Sequence, residues 1–269
     1  MELKRNKVTA FLPVFNEEKR IRYALNCLQW CDSVYVLDKS STDSTVQIAR
    51  EMGAYVKIIP HEDSYNPHEI DYMLSIDSEW IVLFTASDLI DRSLAFNVRD
   101  AISNTDADVI YVPFMQYVLG QNCKKSPWYS SKRRLAFRKT VGRINPSSVH
   151  GALFFDSTKE QLVEGGYLYH LTHMNVDGMM DRHIRYWRGE AENYNEKDLW
   201  PALKDVLRAI KLVIVKGTIF SGWTCLALAF AYISYYLMSY VYKWEHLMSD
   251  SESSYSLLRD KNLDDWNNY

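Results

Sequence analysis

The stretch Phe11–Ala54, FLPVFNEEKRIRYALNCLQWCDSVYVLDKSSTDSTVQIAREMGA, decides how the rest of the chain is read. The apolar run Val8 to Val14 ends at Asn16, and a charged helical stretch follows from Glu17 to Trp30. A second apolar run, Ser33 to Leu37, ends in Asp38. A hydroxyl-rich turn then leads through Asp43 into a helix that stops near Gly53, a residue suited to the left-handed position after a helix. A carboxylate at a strand end, followed by hydroxyls and by Asp43 at a helix start, makes a polar pocket and also a well-capped turn.

The alternation continues outward. Tyr55 to Ile59, Trp80 to Phe84 and Val109 to Pro113 read as further strands, with helical patterns between them. Strand–helix alternation of this kind predicts an α/β fold with a doubly wound, mostly parallel sheet. Ligands of such sheets sit beyond the carboxyl ends of the strands. Here those ends are Asn16, Asp38 to Asp43, and Thr85 to Asp88.

The block Asn16-Glu17-Glu18, the strand ending in Asp38 and the turn Ser41-Thr42-Asp43-Ser44-Thr45 together resemble the opening of family 2 glycosyltransferases. The similarity is greatest to the branch that builds lipopolysaccharide core, the heptose β-1,4-glucosyltransferases. It continues through Trp80 to Leu83, Arg134 to Arg138, Val149-His150, Arg185-Tyr186, Glu190 to Glu192, Lys216-Gly217 and Gly222-Trp223. The resemblance implies a GT-A-like fold and transfer, with inversion, of a sugar from a nucleotide-diphosphate donor, UDP favoured, to a glycan or lipid-linked acceptor. It places the donor at Pro13, Val14, Asn16, Glu17, Asp38, Ser41, Asp43, Ser87, Arg134 and Arg138, with Asp38 accepting from the base. The acceptor side takes His170.

The sequence departs from the family at two places. The Asp-x-Asp that carries Mg²⁺ or Mn²⁺ reads Thr85-Ala86-Ser87, leaving Asp88 as the catalytic and metal-ligating carboxylate and a poorer site for a hard cation. The Glu that follows the His of Val149-His150 is Gly151, which leaves His150 as the base, with Glu164 and Asp156 as alternatives. These departures keep open a second reading, a catalytically silent relative that binds nucleotide-sugar or glycan as an assembly factor. A nucleotidyltransferase would want a Gly-rich phosphate loop near the N-terminus, and none is present.

Bulk properties agree with an ordered domain. Of 269 residues, 47% are hydrophobic, and a net charge of −3 argues against a nucleic-acid partner. The charged stretch Met1 to Lys7 runs directly into a strand pattern, so the four cysteines (Cys27, Cys31, Cys123 and Cys225) are expected as free thiols in a reducing cytosol. Residues 1–115 form the nucleotide-sugar half, 116–199 the acceptor half of the same domain, and 200–269 a helical extension.

That extension contains 26 uncharged residues, Gly217 to Tyr242, preceded by Lys204, Arg208, Lys211 and Lys216. The length suffices to cross a bilayer, where about 20 residues are needed. Interruption by Ser, Thr, Gly and Tyr equally suits an interfacial hairpin, a face for a homo-oligomer or a buried helix pair. Peripheral association with the inner face of the membrane is the expected location.

Overall fold

The computed structural model describes residues 6–61, 67–144, 153–157 and 159–267. Strand β1 (Val8–Val14) runs through the middle of the sheet, and its alternation divides the core. Val8, Ala10, Leu12 and Val14 point to one face, where α1 (Ile21–Asn26) packs with Ile21, Ala24 and Leu25. Phe11 points to the other face. The predicted helix Glu17–Trp30 is thus helical only at its centre, with turns on either side.

Strand β2 (Ser33–Asp38) lies parallel to β1, with Asp38 in register with Val14. Helix α2 (Thr45–Glu51) returns the chain and ends at Gly53, whose φ of 81° is the left-handed conformation that stops a helix. Parallel strands β3 (Tyr55–Ile58) and β4 (Trp80–Leu83) flank β2 and β1, and α3 (Pro67–Ser75) connects them. Ile70, Met73 and Ile76 meet Phe11, Leu37 and Ile81 on the second face. After the short β5 (Asp88–Ile90), α4 (Arg92–Asn104) places Leu94, Val98 and Ile102 back on the first face. Helices therefore cover both faces, as the strand–helix alternation requires.

The order changes beyond β4. The long β6 (Val109–Val118) and β7 (Lys132–Arg138) form an antiparallel pair, and β7 joins β4 antiparallel. A separate pair consists of β8 (Gly142–Ile144) and β9 (Leu153–Phe155). Strands β10 (Glu160–Leu162) and β11 (Leu168–Thr172) each run parallel to β6, and β11 also takes β5 antiparallel. The sheet reads β3-β2-β1-β4-β7-β6-β11-β5, with β10 beside β6. The expectation of an α/β fold with a mostly parallel sheet is met.

The rest is helical: α5 (Val176–Glu192), α6 (Trp200–Val215), α7 (Trp223–Met248) and α8 (Ser251–Asn267). Asn175 caps α5, its side chain accepting from the Gly178 amide at 2.8 Å. Gly217 and Gly222, both at positive φ, break the uncharged run, so α7 takes only its last part and continues through Lys243. Helix α7 packs on α5 and α6. Trp187 donates to the Tyr235 carbonyl at 2.9 Å, and buried Glu190 accepts from Tyr235, Ser239 and Lys243.

One expectation is overturned here. Cys123 and Cys225 form a disulfide that ties the loop after β6 to α7, so two of the four cysteines are not free thiols. They are brought together from 102 residues apart, a separation that conceals the pairing in the sequence. Thr218 donates to the Lys125 carbonyl at 2.5 Å and Lys216 to that of Ser126 at 3.3 Å, which fixes the same junction. Cys27 and Cys31 remain free.

Candidate active site

The carboxyl ends of β1, β2 and β4 open into a cavity of about 320 Å³ roofed by α5. Its walls include Pro13, Val14, Glu17, Ser87 and His170, five of the residues expected from sequence. Asn16 and Arg20 line an adjoining cleft of about 460 Å³ that shares Glu17, Arg182 and Arg185.

Asn16, Asp38, Ser41 and Asp43 are drawn together as a scaffold behind the wall. Asn16 has φ of 53°, which an L-residue adopts at a cost that Asn bears best. Its amide donates to Ser41 Oγ and its carbonyl oxygen Oδ1 accepts from the Thr42 amide, each at 2.8 Å. Asp43 accepts from the amides of Thr45 and Glu18, at 2.9 and 3.1 Å, and so ties the first loop to the second. Burial works against its ionisation, but these bonds from Thr45 and Glu18 hold its carboxyl below the usual range. Helix α2 starts after Ser44, one position later than expected, and Asp43 still satisfies its first exposed amide.

Asp38 is fully buried. Its Oδ2 accepts from the Ser41 amide at 2.8 Å, whereas Oδ1 meets no donor among the described residues. A buried carboxylate oxygen without a donor is rare, because its desolvation goes uncompensated.

Asp88 differs from expectation. It is fully buried, and Oδ1 accepts from Arg133 Nη1 and His170 Nδ1, both at 2.7 Å. Oδ2 accepts from the Thr85 amide at 2.8 Å. Burial penalises its charge, yet the His170 hydrogen bond and the Arg133 guanidinium hold the carboxyl below its usual range. An ionised carboxylate only accepts, so His170 Nδ1 carries a proton, and in the neutral ring the lone pair is at Nε2.

The two hydroxyls at the family's metal positions are also engaged. Ser87 Oγ accepts from Arg20 at 2.8 Å, and Thr85 Oγ1 from the Ser87 amide at 3.3 Å. Among the described residues, the side chains at this segment therefore do not form a site for Mg²⁺ or Mn²⁺. Both oxygens of Asp88 already accept from protein donors, and a cation there would face the Arg133 guanidinium. The expected metal ligand is instead the anchor of an arginine and a histidine.

Arg134 and Arg138 also depart from expectation. Arg138 stands opposite Trp80, at the start of β4, and bonds the Ala107 and Thr105 carbonyls at 3.1 and 2.9 Å, at the opposite strand ends from the cavity. A register shift at Ile110/Tyr111 turns Arg134 onto Phe155, 4.0 Å from the ring. Arg133 is the member of the run that reaches Asp88. His150 and Gly151 lie outside the described residues.

Two groups that the sequence reading did not select dominate the cavity's charge. Arg182 and Arg185 are half-buried on α5, and among the described residues neither has a carboxylate partner. Of the other cations in the two clefts, Arg20 forks onto Glu17 and Lys39 meets Glu69 at 2.6 Å, whereas Arg188 is exposed and needs no buried counter-charge. The spacing of Arg182 and Arg185, three apart on a helix and hence on one face, was the available signal. Phe15 stacks on His61 at 3.9 Å, with the Arg185 guanidinium 5.4 Å from its ring.

Comparison with known proteins follows the same line. No protein-family model matches the chain. It is 28% identical over 107 residues to protein RfbJ of Shigella flexneri, covering 38% of this chain and 81% of that one. It is 28% identical over 169 residues to an uncharacterised glycosyltransferase of Rickettsia conorii, covering 56% of this chain. The match spans 55% of that relative's length. Among solved structures, the mannosyltransferase PcManGT from Pyrobaculum calidifontis, in complex with GDP-Man and Mn²⁺, is 15% identical at a TM-score of 0.47. That match covers 92% of this chain and 88% of the other. The chain is a relative of glycosyltransferases, as the family 2 resemblance implied.

Proposed function

We propose that the chain transfers a sugar from a nucleotide-diphosphate donor, UDP favoured, to a hydroxyl of a glycan or lipid-linked acceptor in cell-surface polysaccharide synthesis. The observation that carries this reading is the cavity at the strand ends, lined by Arg182 and Arg185, which have no carboxylate partner among the described residues; behind its wall lies buried Asp38, one oxygen of which lacks a donor. A nucleoside diphosphate supplies the complements of both, an N–H for Asp38 Oδ1 and anionic oxygens for the guanidiniums.

In the transfer, the acceptor oxygen forms a bond to the sugar's anomeric carbon as the bond from that carbon to the diphosphate oxygen breaks. The electron pair leaves with the diphosphate. The hydroxyl proton passes to His170 Nε2, whose ring Asp88 orients through Nδ1, the arrangement that lets an imidazole act as a base. Arg133 keeps Asp88 ionised, so the resulting imidazolium has a counter-charge.

The helices supply a docking face. Trp223, Phe230, Leu237 and Trp244 recur every seventh residue along α7 and are all exposed; Trp200, Leu207 and Ile214 do the same on α6. Exposed Lys204, Arg208 and Lys211 border the α6 stripe. An apolar stripe edged by cations suits the inner face of an anionic bilayer, where a lipid-linked acceptor would be met.

The test is release of nucleoside diphosphate from a panel of nucleotide-sugars with membrane-extracted acceptor. Transfer that falls at least a hundredfold in His170→Asn supports the reading. Nucleotide binding without transfer from any donor would favour the silent assembly factor instead.

A further inference from the structure

We infer that Arg182 and Arg185 of α5 hold the donor's diphosphate in place of a divalent cation, so that nucleotide binding here is independent of metal. The inference rests on the transferase reading and adds how its donor is held. Its first support is the exhaustion of the position where a cation would sit. Asp88 accepts at both oxygens from Arg133, His170 and the Thr85 amide, and Ser87 accepts from Arg20. The Arg133 guanidinium already stands against that carboxylate at 2.7 Å, so a divalent cation would have to compete with it for the same charge.

Its second support is the imbalance across the cavity. Half-buried guanidiniums left without a counter-charge are costly, and proteins normally pair them. Arg20 and Lys39 follow that rule, with Glu17 and Glu69, whereas Arg182 and Arg185 do not. They share a wall with Thr85, Ala86 and Ser87, the segment that would otherwise carry the metal ligands. A diphosphate between this segment and α5 would give each guanidinium an anionic oxygen in forked geometry, for which arginine is better suited than lysine. The rigid helix also delivers both groups from one face, so little order is lost on binding.

The same groups serve the departing diphosphate. Charge that grows on the leaving oxygen is stabilised by donors already in place, with no cation to be recruited.

Calorimetric titration of the full chain with UDP, GDP and uridine, each in EDTA and then in excess Mn²⁺, tests this directly. The expected result is a diphosphate affinity that changes less than about twofold between the two conditions. Arg182→Gln with Arg185→Gln should weaken the diphosphate at least tenfold and leave uridine unaffected, while Arg182→Lys with Arg185→Lys recovers part of the loss and guards against misfolding. Diphosphate binding that requires Mn²⁺ overturns the inference and leaves the transferase reading intact. Absence of binding to every nucleotide in both conditions overturns both.

Discussion

Arg133 Nη1 and His170 Nδ1 converge on one oxygen of Asp88, each at 2.7 Å, so a single buried carboxylate sets the position of a guanidinium and an imidazole at once. Arg133 comes from β7 and His170 from β11, strands that touch β6 on its two sides. The carboxylate is therefore both a structural tie and the element that fixes the His170 tautomer.

Asp88→Ala should cost about 3–5 kcal/mol of stability, the range for breaking a buried charge pair and stranding its partner. Asp88→Asn should cost less and still lower kcat by roughly 10²–10⁴, the share carried by an oriented base. Urea unfolding and steady-state kinetics on the two variants separate the effects. Equal kcat for Asp88→Asn and the parent would remove the dyad from the mechanism.

Asp38→Asn keeps an acceptor for the Ser41 amide and removes the unpartnered oxygen. Nucleotide affinity should fall by about 1.5–3 kcal/mol, as for a hydrogen bond to a charged group, with little change in melting temperature. Isothermal titration measures this, and an unaltered Kd would take Asp38 out of the base pocket.

Acid should destabilise the fold through His173. Burial, reinforced by the charge of Arg182, lowers its pKa from 6.5 to about 4, and its Nδ1 is buried with no hydrogen-bond partner among the described residues. The unfolded chain then binds the proton first as pH drops, so this contribution is complete above about 6.5 and is lost as the pH falls toward 4. His183, lowered by burial in the same cluster, acts in the same direction. Melting temperatures between about pH 7.5 and 5 should decline, and His173→Asn, which tolerates the observed φ of 54°, should flatten the decline.

The C-terminal helices should matter to folding as well as to docking. Trp187→Ala opens the α5–α7 contact and should cost about 3–5 kcal/mol. Truncation after Asp198 should leave α5 exposed and the product aggregated. Charge reversal of Lys204, Arg208 and Lys211 to Glu should spare the fold and weaken sedimentation with anionic vesicles. Intact protein that ignores such vesicles would end the membrane proposal.

What could be read in the sequence is what short-range pattern controls. Apolar runs of strand length, helical periods between them and a polar turn at each strand end determined the α/β class, and the family resemblance picked out Pro13, Val14, Glu17, Ser87 and His170, which line one cavity. Gly53 was legible as a helix stop because only local backbone sterics decide it.

Tertiary structure alone decided the rest. Sheet register decided that Arg133, not Arg134, meets Asp88, and that Arg138 lies at the opposite strand ends from the cavity. Burial converted Asp88 from an apparent ligand into an anchor, and Cys123 found Cys225 across 102 residues. Arg182 and Arg185 acquired meaning only when α5 folded over the strand ends, where neither forms an ion pair among the described residues. Periodicity assigns a residue to an element and a face. Which groups then meet depends on register and helix docking, which are set by packing between segments far apart in the chain.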